Sequence, residues 1–252
     1  MRGFWTLTWI ELKLFVRDPF ALVFALVFPL IMLLVLAAVF GDTPPTDEVN
    51  GELVFRGVSG DDYYVAASLG IVVAAIGLLT LPVHLATYRE QGVLRRMLAS
   101  SAPTWALFGS QLIVGMAVAV AGSLIMVAIA TAIYDTRLPD DPLGVIVAFV
   151  VAMLCFSAIG FLLASLFPTA RAAQGIGLIL FFVVWMFSGT APPRAVLPDV
   201  ARQLGNAEPL THAVIAIQDP WFGFGWNPEK LLIVAVVAIV AGVLAVWRFR
   251  WG

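Results

Sequence analysis

Apolar and polar positions alternate along the chain in long blocks. Six apolar runs, at 20–40, 63–87, 108–134, 143–167, 175–190 and 231–247, contain no Asp, Glu, Lys or Arg. A helix rises about 1.5 Å per residue, so about 20 apolar residues cross a hydrocarbon layer about 30 Å thick. The pattern therefore predicts six membrane-spanning helices, the fifth being the shortest. Three polar intervals carry a further helical signal. In 1–19, Arg2, Thr6, Lys13 and Arg17 share one side of a helix, and Phe4, Leu7, Leu14 and Phe15 share the other with Glu11 among them. That arrangement predicts a helix lying in the membrane interface, its basic side toward anionic headgroups. In "YREQGVLRRMLAS", 88–100, Val93, Leu94, Met97 and Leu98 face one side with Glu90, and Arg89, Gln91, Gly92, Arg95 and Arg96 face the other. A short amphipathic helix between spans two and three follows. In 191–230, Val200, Ala201 and Leu204, then Leu210, Ala213, Val214 and Ile217, recur near helical spacing, and Pro198-Asp199 reads as a helix start. Two short helices dipping back into the protein are expected there. "NGELVF", 50–55, reads as a turn with a short strand. The fold class is all-α integral membrane protein.

Composition agrees. The chain of 252 residues is 62% hydrophobic and 12% charged, whereas soluble domains are about 45–50% apolar and about 25% charged. No cleavable signal peptide is expected, because the first apolar run is as long as a full span and no small-residue cleavage site follows it. The net charge is −2, and no basic run is present, which argues against a nucleic-acid partner. The single cysteine, Cys155, lies in an apolar run and reads as a small buried thiol.

The cations set an orientation. Nine of the 14 Lys and Arg fall in 1–19, 89–107, 168–174 and 248–252, although these intervals are shorter in total than the others; 13 of the 16 acids fall in 41–62, 135–142 and 191–230. Cytoplasmic segments are enriched in Lys and Arg. Both termini are therefore expected inside, and 191–230 outside, where Trp221, Phe222, Phe224 and Trp226 would form an aromatic belt.

Several chemistries are excluded. The spans contain no acid, and His84 and His212 are the only histidines. An intramembrane protease needs paired acids, a nucleophile with its base, or a zinc site. Proton-coupled carriers place ionisable groups inside the spans; here only His84 could serve, and it reads as a packing histidine. ATP binding through a P-loop needs G-x-x-x-x-G-K-[ST]. Lys13 and Lys230, the only lysines, are each followed by Leu.

Four stretches resemble the ABC-2 type permeases, the membrane subunits of ATP-binding-cassette exporters. Glu90-Gln91-Gly92-Val93-Leu94 after span two, followed by Arg95-Arg96-Met97-Leu98 and Ser101-Ala102-Pro103, is similar to their E-x-G-x-L segment. "VRDPFALVFALVFPL", 16–30, resembles their R-D-P start of a proline-bearing first span. "PTARAAQGIGLILFFVVWMFSGTAPP", 168–193, resembles their fifth span and its Ser-Gly exit. "LPDVARQLGNAEPLTHAVIAIQD", 197–219, resembles an L-P…N-P-L-T-x-A pattern, with Glu208 where Asn is usual. The chain departs where the family often has Glu-Arg-Glu, since Tyr88 precedes Arg89-Glu90.

The resemblance implies one transmembrane domain over 1–252, with an interfacial helix at 1–19, a coupling segment at 89–104 and an extracytoplasmic segment at 191–230. It implies an ATPase subunit as partner, carrying ATP and Mg, with no cofactor on this chain. It also implies a second six-span permease, identical or merely similar, and a lipid environment in a bacterial cell membrane. Arg89, Glu90, Gln91, Gly92, Arg95, Arg96 and Arg171 would transmit ATPase closure to the spans. The scattered hydroxyls of the spans suit a drug-like, antibiotic or lipid-like cargo. Export of a polysaccharide or lipid-linked glycan is the alternative, and a non-transporting immunity protein or enzyme is a further one.

Overall fold

The structure is a computed structural model that describes residues 2–49, 51–99 and 104–248. Ser101, Ala102, Pro103 and Arg250, and the faces assigned above to the side chains of Arg2 and Leu98, lie outside the described residues. Six helices are long and apolar enough to cross a membrane: Pro19–Phe40, Gly60–Glu90, Trp105–Tyr134, Pro142–Leu166, Ala170–Phe187 and Pro228–Arg248. They are called spans one to six. Asp18 to His84 at one end, and Phe40 to Tyr64 at the other, make the first two antiparallel. The remaining spans continue the alternation, so residues 2 and 248 lie at the end that carries Arg89. The fold is all-α. The only strands among the described residues are two-residue pieces, Glu48–Val49 and Glu52–Leu53, paired as a hairpin.

The second span is the centre of the bundle. Its most apolar stretch is wholly buried, against 22%, 17% and 17% for spans one, five and six. Hydropathy does not distinguish it, because lipid-facing and protein-facing surfaces are equally apolar. Small residues permit its burial: Ala66, Ala67, Gly70, Ala74, Ala75 and Gly77 let neighbouring backbones come close. At Gly77 an added Cβ would lie 2.4 Å from the Phe156 carbonyl oxygen, and at Gly160 one would lie 2.4 Å from the Gly77 carbonyl oxygen. Spans two and four therefore meet backbone to backbone.

Spans one and two share a local irregularity. Val23–Val27 and Ile76–Thr80 are π-helical turns, and each is followed two residues later by a proline, Pro29 and Pro82. A proline offers no N–H to the preceding turn and its ring crowds the carbonyl four residues back. A π-turn absorbs the misfit by shifting the bonds to i→i−5, as in Phe28 N to Val23 O and Leu81 N to Ile76 O. The two turns pack against each other.

The helix Arg2–Val16 lies along span three. Thr8, Glu11 and Phe15 form its buried edge, while Trp5, Trp9 and Ile10 are exposed. Leu14, grouped above with the apolar side, is exposed as well. Between spans five and six, Asp199–Ala207 and Pro209–Trp221 form the expected two helices. The first turns Val200 and Leu204 outward; the second is buried against spans two, four and six. Trp221 and Phe222 are buried with it, so of the four aromatics assigned to a belt only Phe224 and Trp226 are exposed. Trp226 donates through Nε1 to Asp141 at 2.6 Å.

Candidate functional site

The last two turns of span two, from His84 to Glu90, bond to the N-terminal helix, the cap of span one and the connection between spans four and five. His84 Nε2 lies 2.9 Å from Asp18 Oδ2. The other oxygen of Asp18 accepts from the amides of Phe20 and Ala21, so this carboxylate is the N-cap of span one. Pro19 follows at the first helical position, where its missing N–H is no loss. The His84 hydrogen bond, with those of the capping amides, holds the Asp18 carboxyl below its ordinary pKa against the opposing effect of burial. Phe15 stands edge-on to the His84 ring at 5.9 Å. The packing role read for His84 is met, with a carboxylate partner that the sequence did not single out.

One turn further, the Tyr88 hydroxyl donates to Glu11 Oε2 at 2.6 Å, and Gln111 Nε2 donates to the same oxygen at 2.7 Å. Glu11 is 4% exposed. Burial pushes its carboxyl up, and the bonds from Tyr88 and Gln111 pull it back down. One carboxylate thus joins the N-terminal helix to spans two and three.

Arg89 and Glu90 then close on the loop between spans four and five. Arg89 Nη1 donates to the Phe167 carbonyl oxygen at 2.9 Å, satisfying a group at the open C-terminal end of span four. Glu90 Oε1 accepts from the Ala170 amide at 3.1 Å, and Thr169 Oγ1 accepts from Ala172, so both cap the start of span five. A carboxylate there also opposes the positive end of the helix dipole. The start of the expected coupling segment and the start of span five, which carries Arg171, are held together by two adjacent residues.

Span two ends at Glu90. Gln91 and Gly92 form the turn, and Gly92 takes φ +66°, a left-handed conformation that a Cβ disfavours. A new helix, Val93–Ala99, starts after it. The single amphipathic helix expected over 88–100 is therefore two helices joined at Gly92. This breaks the shared face assigned to Glu90, which is exposed. Leu94 is buried, and it packs with Leu85, Leu107 and Ala164. Arg95, Arg96, Gln91 and Arg171 are exposed. Arg96 Nη2 donates to the Gln91 carbonyl oxygen at 3.2 Å. Among the described residues no acid forms an ion pair with Arg95, Arg96 or Arg171. The site is thus a clamped base, made by Arg89 and Glu90, under an exposed group of three arginines.

Sequence reasoning missed Asp18, Tyr88 and Gln111, and noticed Glu11 only as an acid on the apolar side of its helix. That misfit was the available signal: an acid among buried positions needs partners.

Comparison with known proteins places this geometry in a context. The model of the family described as ABC-2 type transporter matches residues 2–222. Two curated proteins, each named "Probable multidrug ABC transporter permease YbhR", from Escherichia coli K12 and O157:H7, are 26% identical to this chain over 212 residues. The match covers 79% of this chain and 57% of each relative, so the chain spans little more than half the length of the curated relatives it matches.

Proposed function

The chain belongs to the ABC-2 type transporter family, and from that membership we propose that it is the permease subunit of an ATP-driven exporter of amphipathic, drug-like or lipid-like molecules. The similarity to a protein named as a probable multidrug permease supports that cargo class. In this reading both termini are cytoplasmic, 1–19 is an interfacial helix, 89–104 is the coupling segment and 191–230 lies outside. Two six-span copies, or this chain and a similar one, make the pathway in the cell membrane. ATP and Mg sit on a separate ATPase subunit.

The observation that carries the reading is the clamp at Arg89 and Glu90. Gln91, Arg95, Arg96 and Arg171 face solvent on two segments, the turn and short helix after span two and the first turn of span five, that this clamp ties together. An ATPase surface with acidic groups would meet them directly. Arg89 and Glu90 act behind them as positioning residues. Movement imposed on the arginines passes through Gly92 into span two, and through Phe167 and Ala170 into spans four and five. Tyr88 passes it to the N-terminal helix, and His84 to span one. A ligand that binds two states unequally shifts their balance, and ATP on the partner supplies that difference.

The glycan alternative would draw on the four outer aromatics, Trp221, Phe222, Phe224 and Trp226. Trp221 and Phe222 are consumed by packing, which leaves Phe224 and Trp226 as its support.

The test is reconstitution of the chain, with the ATPase that co-purifies with it, in vesicles holding a panel of fluorescent amphipathic drugs and lipids. ATP-dependent movement of at least one, lost in the Arg95→Glu/Arg96→Glu variant, is expected. Movement that continues undiminished without the ATPase would overturn the proposal.

A further inference from the structure

At the Arg89 end a recess of about 480 Å³ opens sideways between spans three, four and six. Its volume is that of a ligand site, about 300–1,000 Å³. Small residues make the space: Ala158 on span four faces Gly242 and Ala245 on span six, and an added Cβ on Gly242 would come no closer than 4.0 Å to Ala158. Phe108 and Phe161, ring centroids 5.0 Å apart and nearly perpendicular, form the wall toward span three. Trp105, 62% exposed at the start of span three, stands at the mouth.

One polar group lies in this apolar wall. Ser157 is 1% exposed, and its hydroxyl makes no hydrogen bond. A hydroxyl without a partner in hydrocarbon costs free energy, because no water is at hand to satisfy it. The half-buried Ser165 of the same span donates to the Leu162 carbonyl oxygen and the buried Ser68 of span two to that of Val65, whereas Thr80 and Ser123 share with Ser157 a buried hydroxyl without a partner; of these three only Ser157 lines this recess. Depth fixes the kind of ligand. Ser157 lies about 14 Å along the helix from Leu166, the end of span four, which is about the hydrocarbon thickness of one leaflet.

We propose that this recess binds one apolar chain of an amphipathic molecule drawn from the adjacent leaflet. Trp105 lies beside its headgroup, and Ser157 donates to an ester, amide or ketone oxygen within the chain. The site deepens the cargo class proposed above and rests on it, but its occupancy needs neither ATP nor an ATPase. Failure of transport and failure of binding can therefore be told apart.

The probe is an amphiphile with an amide inside its alkyl chain and a diazirine at the chain end. It is photolysed with the full chain in phosphatidylcholine nanodiscs, and labelled peptides are identified by mass spectrometry. Saturable labelling at 154–161 and 242–246 is expected, displaced by the unlabelled amide. Gly242→Phe should abolish it while labelling of the lipid-facing Ile239 persists; Ala158→Leu, on another span, is the second variant should Gly242→Phe fail to fold. Ser157→Ala should weaken the amide about fivefold, the loss of one neutral hydrogen bond, and leave an all-hydrocarbon probe unchanged. Labelling that does not saturate, or that both filling variants leave intact, marks ordinary lipid contact and overturns the proposal.

Discussion

The two ends of the bundle treat charge differently. At the Tyr63 end, the cations find partners within the chain. Arg56 pairs with Asp219 and also donates to Gln218 at 3.1 Å; Asn227 donates to the other oxygen of Asp219 at 2.7 Å. Arg202 reaches Glu52 at 2.8 Å, and Asp62 accepts from the Arg137 amide at 2.7 Å. Tyr63 and Tyr64 donate to the Gly189 and Ala191 carbonyl oxygens. At the Arg89 end, the inner ring is just as well satisfied, through Glu11, Asp18, Arg89 and Glu90, but Arg95, Arg96 and Arg171 remain directed outward. One end takes up its own cations, and the other has cations to offer. Arginine forks are well suited to an acidic protein surface, which is the difference on which the proposed ATPase contact rests.

The largest expected effect breaks the outward group. Arg95→Glu/Arg96→Glu should abolish co-purification of the ATPase, with thermal stability of the solubilised chain unchanged, since neither side chain packs inside. Next, Arg56→Ala should do the reverse. It removes a charged pair whose acid is nearly buried, and should lower stability by about 2 kcal/mol, read as the unfolding midpoint, while co-purification persists. Glu90→Ala sharpens the comparison from within the Arg89 end. Loss of the cap on Ala170 should cost about 1 kcal/mol; the ATPase should still bind, but substrate-stimulated hydrolysis should fall because the end of span two and the start of span five no longer move together. Equal hydrolysis in the variant and the parent would remove Glu90 from the coupling path.

The smallest effect concerns pH. Glu208 caps Pro209–Trp221 by accepting from the Leu210 and Thr211 amides, and burial raises its carboxyl from 4.5 to about 7. The folded chain then holds this proton more tightly than the unfolded one between those values. Stability should rise as pH falls from above 7 to about 4.5. Glu208→Gln should flatten that dependence in a melting series; an unchanged slope would assign it to other groups.

Much of this architecture was legible in apolar run lengths alone. All six spans, the N-terminal helix and both helices after 198 were expected near where they occur. Which span lies at the centre was not legible from hydropathy, because lipid and protein interiors favour the same residues, nor from Gly and Ala density, which is higher in span three. The break at Gly92 was half visible, as a glycine where the chain must turn. The partners of Arg89 and Glu90 were not, because Phe167 and Ala170 contribute only backbone groups, and a backbone acceptor or donor leaves no mark on residue identity. The exposed Arg95, Arg96 and Arg171 were all read as site residues; the structure adds that the helix after Gly92 and the start of span five, which bear them, adjoin residues that are tied together.

The most direct test of the outward-facing end is cross-linking in native membranes. In a Cys155→Ser background, single cysteines replace Arg95, Arg171 or, at the opposite end, the exposed Arg137, and each carries a benzophenone. Adducts from positions 95 and 171 with a subunit that contains a P-loop, and none from position 137, are the predicted result. Adducts with such a subunit from position 137, or their absence at both 95 and 171 while the subunit co-purifies, would contradict the account.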